Sequence, residues 1–371
     1  MDTQSPSDRD SRRKRRRPSS DGTAFRRPSE GASSAAGELG TMRKGRAQGS
    51  SSFVGSGSGI YFVRTVQASF ARNYSRQGSE AIDEDIVPGE DDRLQSSTRN
   101  PAGSLWTAEE VAFPSSDQPA TPFTFEDLVH WSQPYFDNWH PPFPFLQGTK
   151  VLDSFEEAAT HGIQSLNVLD SIIVRSVLSM SLGDRRQMPQ EVVKLIPSEL
   201  LFLTIDDAIA CVTPVILQPS TLAGLQSLVA LQSFLLSMLH LNAASRIGGV
   251  IVRVAFHLGL HRCPSRFEQF SFAEADIRRR VFWSVYTLER YLSQSLGLPL
   301  DLKDDDIDVC YPDNELHQTQ GRESTPWVLR THGTERVTFL YGFWADFVSR
   351  PSRFAAPCFL RTSRHDQRND S

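Results

Sequence analysis

The run TLAGLQSLVALQSFLLSMLHL, from Thr221 to Leu241, decides the fold. Leu225, Leu228, Leu235 and Leu239 recur on one helical face, and Thr221 stands where an N-cap belongs. At this length the run could span a bilayer, and no charged residue occurs between Asp207 and Arg246. It also carries Gln226, Ser227, Gln232, Ser233, Ser237 and His240, which a lone span would bury in lipid without partners. Neighbouring helices of a soluble domain can satisfy such groups, so the run reads as a buried core helix and not as a membrane span.

Two helices in the same rhythm follow. One covers about Ala243 to Leu258, with Ile247, Val250, Ile251, Val254 and Leu258 on its stripe and Gly259 as a C-terminal stop. The next opens on the capping box Ser271-Phe272-Ala273-Glu274, carries Ile277, Val281, Val285, Leu288 and Leu292, and stops at Gly297 and Pro299. Near its start Arg278, Arg279 and Arg280 oppose the helix dipole, and pairs Glu274–Arg278 and Asp276–Arg280 are expected to offset part of that cost.

Upstream, Ile163 to Leu182 has helical spacing through Leu166, Leu169, Ile173 and Val177, and Val151 to Ala159 forms another helical stretch. Phe125 to Trp131 predicts a short helix ended near Pro134. The aromatic-proline strip Tyr135 to Leu146 is expected to run extended, with its rings anchored on a helical surface. No comparable strand alternation recurs, so the fold class is all-α: a multi-helix domain preceded by a long disordered N-terminal region.

That region, residues 1–122, is expected to be a basic, then acidic, tail and linker. Its first fifty residues are rich in Ser, Gly, Arg and Pro, too poor in large apolar groups to offset ordering entropy. Arg12, Arg13, Lys14, Arg15, Arg16 and Arg17 form a basic run of the kind that reads as a nuclear-import signal. The glycines of Ser51 to Val63 match neither nucleotide-binding spacing and read as a flexible turn into a short helical face from Ile60 to Phe70. The acidic, proline-containing stretch from Ser79 to about Pro122 reads as a linker.

The net charge of −5 over 371 residues does not suit a chain that grips nucleic acid with its whole surface. Cys211, Cys263, Cys310 and Cys358 have no short zinc spacing, and reduced thiols are expected. His257 and His261 have the i,i+4 spacing of metal ligands, but Gly259 between them is expected to end the helix. Cys263, beside His261, Arg262 and Arg266, lacks an identifiable orienting group and oxyanion site and reads as an ordinary cysteine; the alternative, a redox-sensing thiol, would show rapid alkylation. Asp304, Asp305 and Asp306 lack the calcium-loop register and read as an exposed acidic turn. With no hydrolase or metalloprotease motif in addition, the chain does not read as an enzyme.

One ordered set of motifs remains. It runs through Val252–Arg262 with Gly259, His261 and Arg262, then Pro264–Phe267, then Arg278-Arg279-Arg280-Val281-Phe282-Trp283-Ser284-Val285-Tyr286. Glu289-Arg290-Tyr291-Leu292-Ser293, Gly297–Leu300 and Asp306-Ile307-Asp308-Val309 complete it. In order and spacing the set resembles the middle homology region of fungal-specific transcription factors of the Zn2Cys6 type. The strip at Tyr135-Phe136 and His140–Pro144 resembles that domain's start, so the resemblance covers about Phe123 to Pro312, with a weaker echo at Phe53 to Val66.

The resemblance implies a nuclear regulator of transcription with a helical regulatory domain at 123–314. It implies DNA as partner, zinc where an upstream six-cysteine cluster exists, and dimerisation or pairing with other regulators. No cysteine precedes Cys211, so no cofactor is expected within this chain. Residues 315–371 read as a poorly defined end, as a truncated or aberrant C-terminus would. Two other readings stay open: a cluster-less interaction module that modulates other transcription factors, and a sensor of a small-molecule effector of unspecified class.

Overall fold

The computed structural model describes residues 40–44, 51–75, 87, 89, 104–113, 122–186 and 194–310. The basic run at Arg12–Arg17, most of the acidic stretch and the segment 315–371 lie outside the described residues. Within them the chain is helical, apart from two small sheets. The strands β1 (Thr41–Lys44) and β2 (Ser51–Val54) pair antiparallel, while β3 (Val111–Ala112) and β4 (Ile196–Pro197) pair parallel. The helices are α1 (Gly59–Ser75), α2 (Phe125–Asn138), α3 (Gly148–His161), α4 (Val168–Arg185), α5 (Ile205–Ala210), α6 (Val212–Ile216), α7 (Leu222–Ser237), α8 (Leu241–His257) and α9 (Phe272–Leu296).

Helix α7 sits inside the domain, packed against α4, α6, α8 and α9. Every residue from Gly224 to Leu236 is buried. Most of its polar side-chain groups find partners within the domain, the Gln232 Oε1 being an exception. Gln226 Nε2 donates to the Phe145 carbonyl at 2.6 Å, and Gln232 Nε2 to the Ala244 carbonyl at 3.2 Å. The hydroxyls of Ser227, Ser233 and Ser237 donate to carbonyls of their own helix at 2.7–2.8 Å. Among the described residues no helix is long and apolar enough to cross a membrane. The helix stops four residues short of Leu241, turning at Leu239, whose φ of 60° puts a non-glycine residue in the left-handed region.

Caps act where the sequence places them. Thr221 Oγ1 accepts from the Gly224 N–H at 3.0 Å, and Ser271 with Glu274 closes a reciprocal capping box at the start of α9. Helix α9 ends at Gly297 in the left-handed conformation, and α8 is followed by Gly259 in the same conformation.

Two expectations are corrected. Helix α2 does not end near Pro134; it continues to Asn138. Proline has no N–H to donate to the carbonyl four residues earlier, that of His130, and Arg185 Nη2 donates to that carbonyl instead, at 2.9 Å. The next N–H, of Tyr135, donates to Ser181 Oγ at 3.1 Å. Tertiary partners from α4 thus take over at the point where the proline interrupts the ladder, and only residues 143–146 of the aromatic strip run outside helix and turn.

Residues 1–122 are also not tail and linker throughout. Val54, Ile60, Val87, Trp106 and Val111 are buried in the common core. Trp106 Nε1 donates to the Phe202 carbonyl at 2.7 Å, and the Leu105 N–H to the Leu203 carbonyl at 2.8 Å. The glycine-rich turn makes a specific contact. Gly55 N–H donates to the Leu296 carbonyl at 3.0 Å, and a Cβ on Gly55 would stand 1.9 Å from the Gly297 carbonyl oxygen. A strand thus docks backbone to backbone on the end of α9, which only a residue without a side chain permits.

Gly55→Ala should therefore dislodge this segment, at a cost of about 1–3 kcal/mol. Limited proteolysis is expected to cut within 51–75 faster in the variant than in the wild type, with the 122–310 core still protected.

Candidate functional site

The motif residues converge where the strap of residues 301–310 lies along α9 and the turn after α8. Gly259 lets the chain leave α8, and His261, Arg262 and Cys263 form the turn. Asp308 then closes the strap onto it. Its N–H donates to the His261 carbonyl at 3.1 Å, and its carboxylate accepts from the Cys263 N–H at 2.8 Å. Arg266 lies 3.0 Å from the same carboxylate and Arg262 4.0 Å. Farther along, the Trp283 indole donates to the Cys310 carbonyl at 2.8 Å.

A second fastener holds the strap's beginning. Arg290 Nη2 donates to the Leu302 carbonyl and to Asp304 Oδ1, each at 2.8 Å, while its Nη1 pairs with Glu289. Glu289 is buried, and its other oxygen accepts from the Asp301 N–H at 2.7 Å. Tyr286 donates to Asp304 at 2.8 Å beneath the Arg290 guanidinium, which lies 4.3 Å from the ring centre. Burial is the main reason the Tyr286 hydroxyl is pushed up to about 12.

The arginine triplet divides its work. Arg280 pairs with Asp276 at 2.9 Å and donates to the Pro144 carbonyl at 3.3 Å, the expected i,i+4 contact plus a link to the aromatic strip. Glu274 and Arg278 act on each other through charge without a direct ion pair. Glu274 is engaged in the cap, and Arg278 instead donates to the Leu258 carbonyl at 3.1 Å and lies 4.0 Å from the centre of the Phe270 ring. Arg279 is buried, with Asp276 at 3.8 Å. Phe282 is buried and meets Trp283 edge-on at 5.4 Å.

His257 is exposed at the end of α8, whereas His261 turns its ring onto Phe256 at 5.1 Å. Among the described residues no group of three His, Cys, Asp or Glu side chains could hold a metal ion. Asp304, Asp305 and Asp306 are all exposed, and Asp304 is in addition a structural partner of Arg290 and Tyr286, a role its position within an acidic run conceals. Cys263 is fully buried. Its sulfur lies 3.2 Å from that of Cys310, a pairing across 47 positions that local spacing cannot signal. What this arrangement does chemically is hold backbone in place.

Two predictions follow from these contacts. Arg290→Ala strands the buried Glu289 carboxylate and should cost about 3–5 kcal/mol in urea unfolding; Arg290→Lys should restore only part, lacking the planar fork. The second concerns acid. Burial lowers the His140 and His261 pKa values, helped by Arg280 and Arg262 respectively. The carboxyls of Glu110 and Asp127 are pulled up by burial, but bonds from Arg186 with Thr107 and from Lys194 with Thr124 outweigh it and leave both below their ordinary range. All four groups bind protons more weakly when folded, so stability present at neutral pH is lost as pH falls. The midpoint temperature should decline from about pH 6.5 as the histidines charge and again below about pH 4. His140→Gln with His261→Gln should flatten the first decline.

The profile of the fungal specific transcription factor domain matches residues 133–341, beginning inside α2 and running past Pro312, where the motif resemblance ends. The probable transcription factor FUP6 of Fusarium proliferatum is 32% identical over 306 residues, covering 76% of this chain and 41% of that protein. The transcriptional activator protein acu-15 of Neurospora crassa is 26% identical over 178 residues, 48% of this chain and 18% of the relative. The Zn(2)-C6 fungal-type transcription factor pigI of Monascus ruber is 33% identical over 93 residues, 25% of this chain and 12% of the relative. The chain therefore spans about two fifths or less of the length of these curated relatives. No solved structure matches it.

Proposed function

The chain belongs to the fungal specific transcription factor domain family, and on that premise we propose that it is the regulatory core of a nuclear transcription regulator and not an enzyme. The observation that carries this reading is the profile match over residues 133–341, joined to relatives named as transcription factors and activators. The internal engagement of the motif residues supports it. Asp308, Arg290, Glu289 and Trp283 direct their polar groups at backbone and at one another, so they maintain a shape and leave partner contact to the outer surface.

In this reading DNA is reached through a zinc cluster of the kind the Monascus ruber relative's name records. The four cysteines of this chain begin at Cys211 and do not compose one, so the chain contributes regulation while the cluster contributes sequence selection. Other regulators or a second copy of the chain are the partners of its helical surface, and Arg12–Arg17 direct it to the nucleus.

One experiment tests these points together. Fused to a heterologous DNA-binding domain and a fluorescent tag in a fungal cell, the chain should accumulate in the nucleus and change reporter output several-fold. Replacing Arg12 through Arg17 by glutamine should lower both readings. Output equal to that of the DNA-binding domain alone would overturn the regulatory role.

A further inference from the structure

We infer that Cys263 and Cys310 are a modification site, a dithiol that a small peroxide converts into an intramolecular disulfide locking the 301–310 strap to the turn after α8. The two sulfurs stand 3.2 Å apart, and the residues are 0% and 2% exposed. A disulfide needs about 2.05 Å between sulfurs, so the bond requires an approach of roughly an ångström within side chains that already face each other.

Both backbones are held for that approach. The Cys263 N–H donates to Asp308 Oδ1, the Asp308 N–H donates to the His261 carbonyl, and the Trp283 indole holds the Cys310 carbonyl. The strap and the turn are thus fixed relative to each other on both sides of the sulfur pair. Cys211 differs: it is half-buried on α5's C-terminal side, and its thiol lies 3.4 Å from the Asp207 carbonyl of its own helix.

The oxidant is hydrogen peroxide or an organic hydroperoxide. One sulfur, as thiolate, attacks the peroxide oxygen; the O–O bond breaks, the sulfur becomes a sulfenic acid, and the departing oxygen leaves as water or alcohol. The second thiol attacks that sulfur, its proton and the sulfenic hydroxyl leave as water, and the S–S bond forms. Two electrons pass from the sulfurs to the peroxide, and a dithiol reductant reverses the change by exchange. Because both sulfurs are buried and adjacent, the second thiol of the pair is the nearest nucleophile to a sulfenic acid formed on the first, which favours the internal bond over a mixed disulfide. Intracellular disulfides are mostly transient and redox-linked, and this one would close a loop of 47 positions that contains all of α9.

The inference stands apart from the transcriptional reading. The purified, reduced full chain is exposed to a small molar excess of hydrogen peroxide, quenched by unfolding in an alkylating agent, digested and mapped by mass spectrometry. The expected result is a Cys263–Cys310 linked peptide pair, released by dithiothreitol, with a midpoint rise of about 5–10 °C before release. A chain carrying Cys211→Ser and Cys358→Ser should retain both results. Recovery of Cys263 and Cys310 as alkylated thiols, as separate sulfinic acids, or linked to Cys211 or Cys358 would overturn the assignment. The wild-type map decides the matter even where a Cys310→Ser control does not fold.

Discussion

A helix buried on every side needs hydrogen-bond partners for the polar donors it carries, and the two glutamine amides of α7 tie neighbouring segments to it. An unpaired buried amide costs on the order of 1–3 kcal/mol, so Gln226 and Gln232 cannot be left to chance. Gln226 reaches the Phe145 carbonyl, which ties the aromatic-proline strip to the core. Gln232 reaches the Ala244 carbonyl, and Gly248 makes the room: a Cβ there would stand 2.7 Å from the glutamine nitrogen. The same two glutamines that argue against a membrane span therefore set the position of the strip before α3 and the approach of α8.

Charged groups act at the periphery of that core as clips on backbone. Arg175 donates to the Leu201 carbonyl at 2.9 Å and pairs with Asp207 at 2.5 Å, Arg185 replaces the donor lost at Pro134, and Arg290 and Asp308 fasten the strap. A guanidinium suits this work because it keeps its charge and presents several donors in one plane. Half-buried pairs of this kind add less to net stability than to uniqueness of arrangement, since their attraction is offset by lost hydration. This explains why motifs that resemble a regulator's signature contain so little chemistry: they record how the domain is held shut.

Much of the fold and part of the site were legible in the residues alone. Helical spacing, the Thr221 cap, the Ser271–Glu274 box and the stops at Gly259 and Gly297 depend on neighbours within one or two turns, and each acts as local chemistry dictates. The Asp276–Arg280 pair belongs to the same class. The family resemblance likewise rests on order and spacing along the chain.

Tertiary structure decided the rest, because each remaining contact joins residues far apart in sequence. Pro134 ends a helix on local grounds, yet Arg185 and Ser181 arrive from α4 to complete the backbone bonding. Glycine-rich Ser51 to Gly59 reads as a loose turn until the end of α9 is brought against Gly55. Glu274 makes its hydrogen bonds in the cap, and Arg278, still within reach of its charge, makes its own to the Leu258 carbonyl and stacks on Phe270. Cys263 and Cys310 become a pair only when the strap returns to the turn after α8. Sequence by itself determined the long core helices, their capped ends and the family; the packing of distant segments determined where α2 ends and which polar groups and which sulfurs meet, since proximity in space is created by the closed core and is not encoded in any local window.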